Sequence, residues 1–388
     1  MIVWRLLEWE RALDRVLPAW TRGDGLGLLP VPSDAWASLP PRADDSRAWL
    51  SDPAGSAREL LGAGGWRLDP WGLLRGVIEE HGRMPAEPLY LRQPLPVHRL
   101  PGRARQMIAG ILTNLDRKHE WMDPAASADL LSCLIEREGP PVERPDRGPF
   151  PMPKDELTVC LTHDADSGNF QTRGDGSPLL RLERSRGFTS TWFLTTGRHA
   201  LDCGFLDALR DEGHELAWHD TVHDHRLSFL SPEAMSRRVE ASRGFLERYA
   251  VRGVRSPNYF RSPRYFECMG RFFSYDSSRH DSYPPREGSG TCRPFRDLGG
   301  LLQAPVSIQE DFFLLRRRPD TDAVVREQIR QIERVRARRG VVLLNTHPEP
   351  ELSERPQGMA VYEAVLDYLA AQPGCRVLRV RDLADRCA

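Results

Sequence analysis

Downstream of residue 155, short apolar runs rich in β-branched residues alternate with stretches whose apolar positions recur every three or four residues. The short runs fall at 157–162, 188–194, 214–218, 252–256, 272–276, 301–308, 341–346 and 376–380, and they predict strands. The periodic stretches, at about 203–212, 232–248, 320–339 and 357–371, predict helices. In 320–339, Asp320 is placed to cap the N-terminus, Val325, Ile329, Ile332 and Val335 make one apolar face, and Gly340 supplies the stop. Strand–helix alternation over about 230 residues predicts an α/β domain, a parallel sheet or barrel with right-handed crossovers.

Upstream the pattern is different. Ile2, Leu6, Trp9, Leu13 and Val16 form one face of a helix over 2–17 that ends near Pro18. Glu8, Glu10 and Asp14 on its polar side favour packing against the chain over a membrane surface. Residues 21–65, rich in Gly, Pro, Ser and Asp, predict irregular structure, and 71–137 are mixed, with helical stretches at 102–115 and 127–137. Six prolines fall within residues 139–153, which excludes regular structure there. The chain is therefore divided into a helical and irregular accessory region, 1–150, and a second domain, 151–388.

Composition adds exclusions. At 388 residues, with 40% hydrophobic and 28% charged residues, the chain fits an ordinary soluble protein of about two domains. A net charge of −1 gives no electrostatic case for nucleic acid or for an anionic membrane. Seven cysteines, with no CxxC pair, point to free thiols in a reducing compartment. The N-terminus breaks its apolar residues with charges every few positions, so neither a signal peptide nor a transmembrane segment is expected, and the expected location is cytoplasmic.

The candidate chemistry lies where the predicted strands end. The run Leu157–Leu161 stops at Thr162-His163-Asp164-Ala165-Asp166; if the backbone stays extended, Asp164 and Asp166 project to one side. Alone, such a cluster is most simply a solvated loop. The next, Gly213–His225, holds four of the 11 histidines, with His219 and His223 four apart and able to converge if the segment turns helically. Two imidazoles and a carboxylate suit zinc or a similar divalent ion. Arg255-Ser256-Pro257 ends a third strand, where an Arg can orient a carboxylate and keep it ionised. His347 ends a fourth, before the rigid Pro348, a natural place for a general acid.

Taken in order, these stretches resemble the polysaccharide deacetylase family (carbohydrate esterase family 4) over about residues 155–383. The resemblance implies a distorted (β/α) barrel and five motifs. Thr162–Asp166 resembles the first, whose two Asp supply base and metal ligand; Asp164 is assigned as base and Asp166 as ligand. His219-Asp220-Thr221-Val222-His223 is similar to the metal motif, and Arg255-Ser256-Pro257 to the motif whose Arg tethers the base. Phe273–Ser278 resembles the fourth, with Asp276 as the acidic residue that fixes the Arg, and Leu344–Pro348 the fifth, with His347 as acid. The departures are Ala165 between two normally adjacent Asp, which fits a divergent His-Asp-x-Asp branch, Asn258 where a Tyr usually follows Pro257, and no Trp in the fourth motif. Asn258 occupies the position whose backbone N–H serves in the family as oxyanion donor.

The resemblance implies a metal-dependent hydrolase removing an N-acyl group, first of all N-acetyl, from a sugar, a sugar-containing precursor or an oligosaccharide. It implies one divalent ion, zinc before cobalt, manganese or nickel. The alternatives are a deformylase or an amidase on a non-sugar C–N substrate, or a catalytically silent protein that binds metal or glycan.

Overall fold

The computed structural model describes residues 148–171, 176–281, 289–297, 299–311, 314–315 and 320–388, together with the backbone of four short upstream strands. Those four, β1 (Gly27–Leu28), β2 (Ala48–Ser51), β3 (Ala57–Gly62) and β4 (Gly65–Trp66), form an antiparallel sheet in sequential order. Irregular structure was the expectation for 21–65; the Gly-bearing stretches taken as loop instead lie at strand ends, as in the pairing of Gly62 with Gly65. The helices expected at 2–17, 102–115 and 127–137 lie outside the described residues.

The larger unit is a curled nine-stranded sheet with helices outside it. Its strands are β5 (Leu157–Ala165), β6 (Ser190–Leu194), β7 (Glu215–Trp218), β8 (Gly253–Val254), β9 (Tyr275–Asp276), β10 (Phe295–Arg296), β11 (Leu302–Gln303), β12 (Val342–Thr346) and β13 (Cys375–Val377). The order is β10-β11-β9-β8-β7-β6-β5-β12, with β13 also paired to β5, and every pairing is parallel except β10 with β11. Beyond β11 the chain stays extended. Val306 donates to the Arg279 carbonyl at 2.8 Å, and Ser307 donates to the Leu343 carbonyl at 3.2 Å, which curls the sheet round onto β12. The result is the distorted barrel expected from the sequence.

The helices are α1 (Pro178–Arg184), α2 (Cys203–Asp211), α3 (Pro232–Ala241), α4 (Arg243–Arg248), α5 (Pro263–Met269), α6 (Thr321–Ala337), α7 (Pro356–Ala370) and α8 (Val380–Arg386). Of these α1, α5 and α8, seven residues each, are too short for periodicity to reveal. The long stretch 232–248 is two helices with Ser242 between them. Asp320 caps α6 as expected, accepting from the Asp322 N–H at 3.0 Å. The stop is not Gly340. Arg339 takes the left-handed turn (φ 54°), while a Cβ on Gly340 would lie 2.0 Å from Cys292 Sγ, so the glycine serves close packing.

Strand parity places the chemistry. Leu157, Val159 and Leu161 of β5, with Val342 and Leu344 of β12, face outward onto α6 and α7. Cys160 and Leu343, on the opposite faces, line the barrel interior with Phe193, Ala217 and Tyr275. Asp164 on β5 and Asn345 on β12 therefore point inward, and Asp166 and His347 continue the same alternation. Each buried Val or Leu of the outer layer contributes about 1.5–3 kcal/mol. That layer offsets the cost of burying charged groups between the same strands. No helix among the described residues is long and apolar enough to cross a membrane.

Gly253 begins the short strand that carries Arg255. A Cβ there would lie 1.8 Å from Tyr275 Cζ, and the Tyr275 ring is pinned because its hydroxyl donates to Glu215 Oε1 at 2.9 Å. Gly253→Ala is expected to lower stability by about 3 kcal/mol through overpacking. Urea unfolding reads this directly; an unchanged midpoint would contradict the packing described.

Candidate active site

Asp166 lies just past the end of β5, and its Oδ1 is 3.0 Å from His223 Nε2 and 3.4 Å from His219 Nε2. That oxygen is buried yet makes no hydrogen bond. His219 Nδ1 lies 2.8 Å from the Arg255 carbonyl oxygen. A carbonyl can only accept, so Nδ1 carries a proton and Nε2 is the ring atom turned toward Asp166. The ligating atoms of Asp166, His219 and His223 all lie within 4.8 Å of one another. An unbonded carboxylate oxygen facing two imidazole nitrogens fits a divalent ion of the zinc, cobalt, manganese or nickel type.

The two histidines do not converge through a helical turn. Asp220, His223 and His225 all adopt left-handed backbone (φ 68°, 51° and 65°), which folds the segment back sharply enough to bring the rings to 4.9 Å between centroids. The loop holds this shape through Asp220, whose buried carboxylate accepts from the Thr221 N–H and from Arg238 of α3, each at 2.7 Å. Arg238 also forks onto Asp224 at 2.8 and 2.6 Å.

Asp164 sits differently. Its Oδ1 accepts from Arg255 Nη1 at 2.7 Å and its Oδ2 from Asn345 Nδ2 at 2.9 Å, while His219 Nε2 is 3.9 Å away. Burial works against its charge, but Arg255, then His219 and His347, hold the carboxyl below the usual range. Arg255 is wholly buried, and its guanidinium lies 4.1 Å over the Phe193 ring. Its Nε donates to the Ser277 carbonyl at 3.0 Å, its Nη2 to Ser277 Oγ at 2.9 Å, and its Nη1 also to Asn345 Oδ1 at 2.6 Å and Thr162 Oγ1 at 3.1 Å.

The residue expected to fix Arg255 is not the one that does. Asp276 accepts instead from the Tyr265 hydroxyl at 2.7 Å and from the N–H and hydroxyl of Ser278 at 2.8 and 2.9 Å. Burial lifts its carboxyl to about 6. On the two-residue strand β9, Asp276 faces away from the guanidinium and its neighbour Ser277 meets it, so Asp276 anchors α5.

His347 has a partner that sequence reasoning missed. Its Nδ1 is 2.7 Å from Asp311 Oδ1, and its backbone N–H donates to Asp311 Oδ2 at 2.8 Å. Burial lowers the affinity of His347 for a proton, but Asp311 and then Glu310 outweigh it and raise its pKa well above the usual value. Asp311 falls between the expected strand 301–308 and the expected helix 320–339, where no periodicity marks it. His163, facing outward by strand parity, lies 2.6 Å from Glu183 of α1 and 2.7 Å from Thr346 Oγ1, beneath the site.

No family model and no curated protein matches the chain. Solved structures do. A protein from Mycobacterium smegmatis described as a polysaccharide deacetylase superposes with a TM-score of 0.51 at 20% identity, over 62% of this chain and 93% of its own. One from Pseudomonas aeruginosa described in the same way superposes with a TM-score of 0.50 at 16% identity, over 65% of this chain and 96% of its own. The chain has the polysaccharide deacetylase fold. Within that fold, Asp164, Asp166, His219, His223, Arg255 and His347, singled out from the sequence, lie at the carboxyl ends of β5, β7, β8 and β12, one end of the sheet.

Metal analysis is expected to find about one divalent ion per chain after reconstitution with zinc, and His219→Ala is expected to lose it through loss of one of three protein ligands. A variant that keeps full stoichiometry would mean the ion lies elsewhere.

Proposed function

We propose that the protein is a metal-dependent hydrolase of the polysaccharide deacetylase family that removes an N-acyl group, N-acetyl first of all, from a sugar or sugar-containing precursor. Residues 151–388 are then the catalytic domain and 1–150 an accessory region. The observation that carries this is the unbonded Asp166 oxygen facing His219 and His223, with the Arg255-held Asp164 beside it. Asp166, His219 and His223 would hold the ion. Bound there, a divalent metal supplies Lewis acidity, which polarises an acyl oxygen and lowers the pKa of water.

The chain's own groups divide the proton work. Asp164, ionised at neutral pH, keeps a further acceptor position on each oxygen and takes a proton from water as general base. Arg255 and Asn345 orient it. His347, protonated at neutral pH, has its Nδ1–H committed to Asp311 and offers its Nε2–H to the departing nitrogen. An amide nitrogen leaves poorly without that proton, so an acid of raised pKa suits an N-acyl substrate.

The test is release of acetate and of formate from a panel of N-acylated sugars. Asp164→Asn is expected to lower turnover by about 10²–10⁴ while the metal stays bound. No release from any sugar by the metal-loaded protein would overturn the reading. The pH dependence has a definite sign. Because the pKa of His347 is raised, the acid is present at neutral pH and turnover falls as pH rises through that pKa. Asp311→Asn removes the raising charge and is expected to move this fall to lower pH, by about one unit or more. A pH–rate profile unmoved by Asp311→Asn would argue against His347 as the acid.

A further inference from the structure

Four buried side chains form a line of hydrogen bonds leading away from Asp164. Asp164 Oδ2 accepts from Asn345 Nδ2 at 2.9 Å, the same nitrogen donates to the Tyr259 hydroxyl at 2.6 Å, and that hydroxyl donates to Glu310 Oε2 at 2.9 Å. The direction of each bond is forced. Arg255 donates to Asn345 Oδ1, so the amide nitrogen faces Asp164 and Tyr259 and both of its hydrogens are committed. The tyrosine hydroxyl, having received one of them, has its own proton to give, and Glu310 takes it. Exposures of 2% for Asp164, 1% for Asn345, 5% for Tyr259 and 8% for Glu310 leave little room for water to substitute.

Two further observations show that this line is built into the fold. Asn258 and Tyr259 are consecutive left-handed residues (φ 54° each), an uncommon backbone that turns the Tyr259 ring back to 5.7 Å from the Arg255 guanidinium. Glu310 directly precedes Asp311, and Asn345 and His347 alternate at the end of β12. Two consecutive carboxyl groups thus brace two inward positions of one strand end, Asp311 directly and Glu310 through Tyr259.

We infer that Tyr259 and Glu310 are positioning residues for Asp164: by fixing the Asn345 amide they set the plane of a carboxylate that Arg255 grips at its other oxygen only. This rests on Asp164 acting as the base. Burial pushes the Glu310 carboxyl up to about 7, so its role is that of hydrogen-bond acceptor, which does not require a full charge. Glu310→Gln, which keeps an acceptor oxygen, retains the wild-type kcat on the plateau below the fall assigned to His347, while the fall itself moves to lower pH because a charge that raises the His347 pKa is gone. Glu310→Ala and Tyr259→Phe each lose about tenfold in kcat, the scale of one hydrogen bond, with KM and metal content unchanged. The double variant Tyr259→Phe/Glu310→Ala is no slower than the worse single variant, because both break the same line.

The experiment pairs kinetics on a substrate that the wild-type protein hydrolyses with crystal structures of wild type and Tyr259→Phe. The expected structural result is an Asn345 amide turned out of hydrogen-bonding distance of Asp164 in the variant. Asn345 still bonded to Asp164 would overturn the inference, as would additive losses in the double variant or a Glu310→Gln as slow as Glu310→Ala on the plateau below the His347 fall. If the wild type hydrolyses nothing, the proposed activity fails, and the two crystal structures still decide whether Tyr259 holds the amide.

Discussion

The buried pair of Arg255 and Asp164 is the constraint on which the rest of the site depends. A guanidinium and a carboxylate this far from water are tolerated only if paired and fully hydrogen-bonded. The fold meets that demand from four strand ends: Asp164 and Thr162 on β5, the Arg255 backbone after β8, Ser277 after β9 and Asn345 on β12. Removing either charge leaves the other stranded, at a cost of about 3–5 kcal/mol in comparable buried pairs. The pair also reaches the Asp166–His219–His223 group, because the carbonyl of Arg255 fixes the tautomer and orientation of His219. One residue thus holds Asp164 ionised through its side chain and orients His219 through its backbone.

Asp164 and Asp166, two residues apart, show how the fold gives like groups unlike surroundings. Both carboxyls are held below the usual range, against the effect of burial, by different partners. For Asp164 the main one is Arg255; for Asp166 it is His223, then His219. A carboxylate satisfied by Arg255 and Asn345 is oriented and restrained. One whose inner oxygen meets only imidazole nitrogens is free to bind an ion. Ala165 between them keeps the alternation of the strand, so both point inward without competing for one position.

Much of this was legible in the sequence, and for a physical reason. Buried parallel strands are continuous apolar runs, and a functional site at their carboxyl ends appears as polar residues directly after them. Asp164, His219, Arg255 and His347 could be found that way. Asp311 and Glu310 could not, because they lie in an aperiodic stretch and act on partners 36 and 51 residues away in sequence. Asp276 was misplaced because a two-residue strand gives spacing too little length to decide which of two neighbours faces the barrel. The convergence of His219 and His223 was anticipated, but its route through left-handed residues was not, since Asp and His reach that conformation without any distinctive sequence pattern.

The claim underlying the whole account is that Asp166, His219 and His223 hold a divalent ion while Asp164 remains outside its coordination sphere. Anomalous diffraction at the zinc edge, from crystals grown with zinc, tests it most directly. The account predicts one strong peak at about 2.0–2.2 Å from a carboxylate oxygen of Asp166 and from the Nε2 atoms of His219 and His223. Asp164 should still be bonded to Arg255. A peak coordinated by Asp164 in place of Asp166, or no peak at these residues, would contradict it.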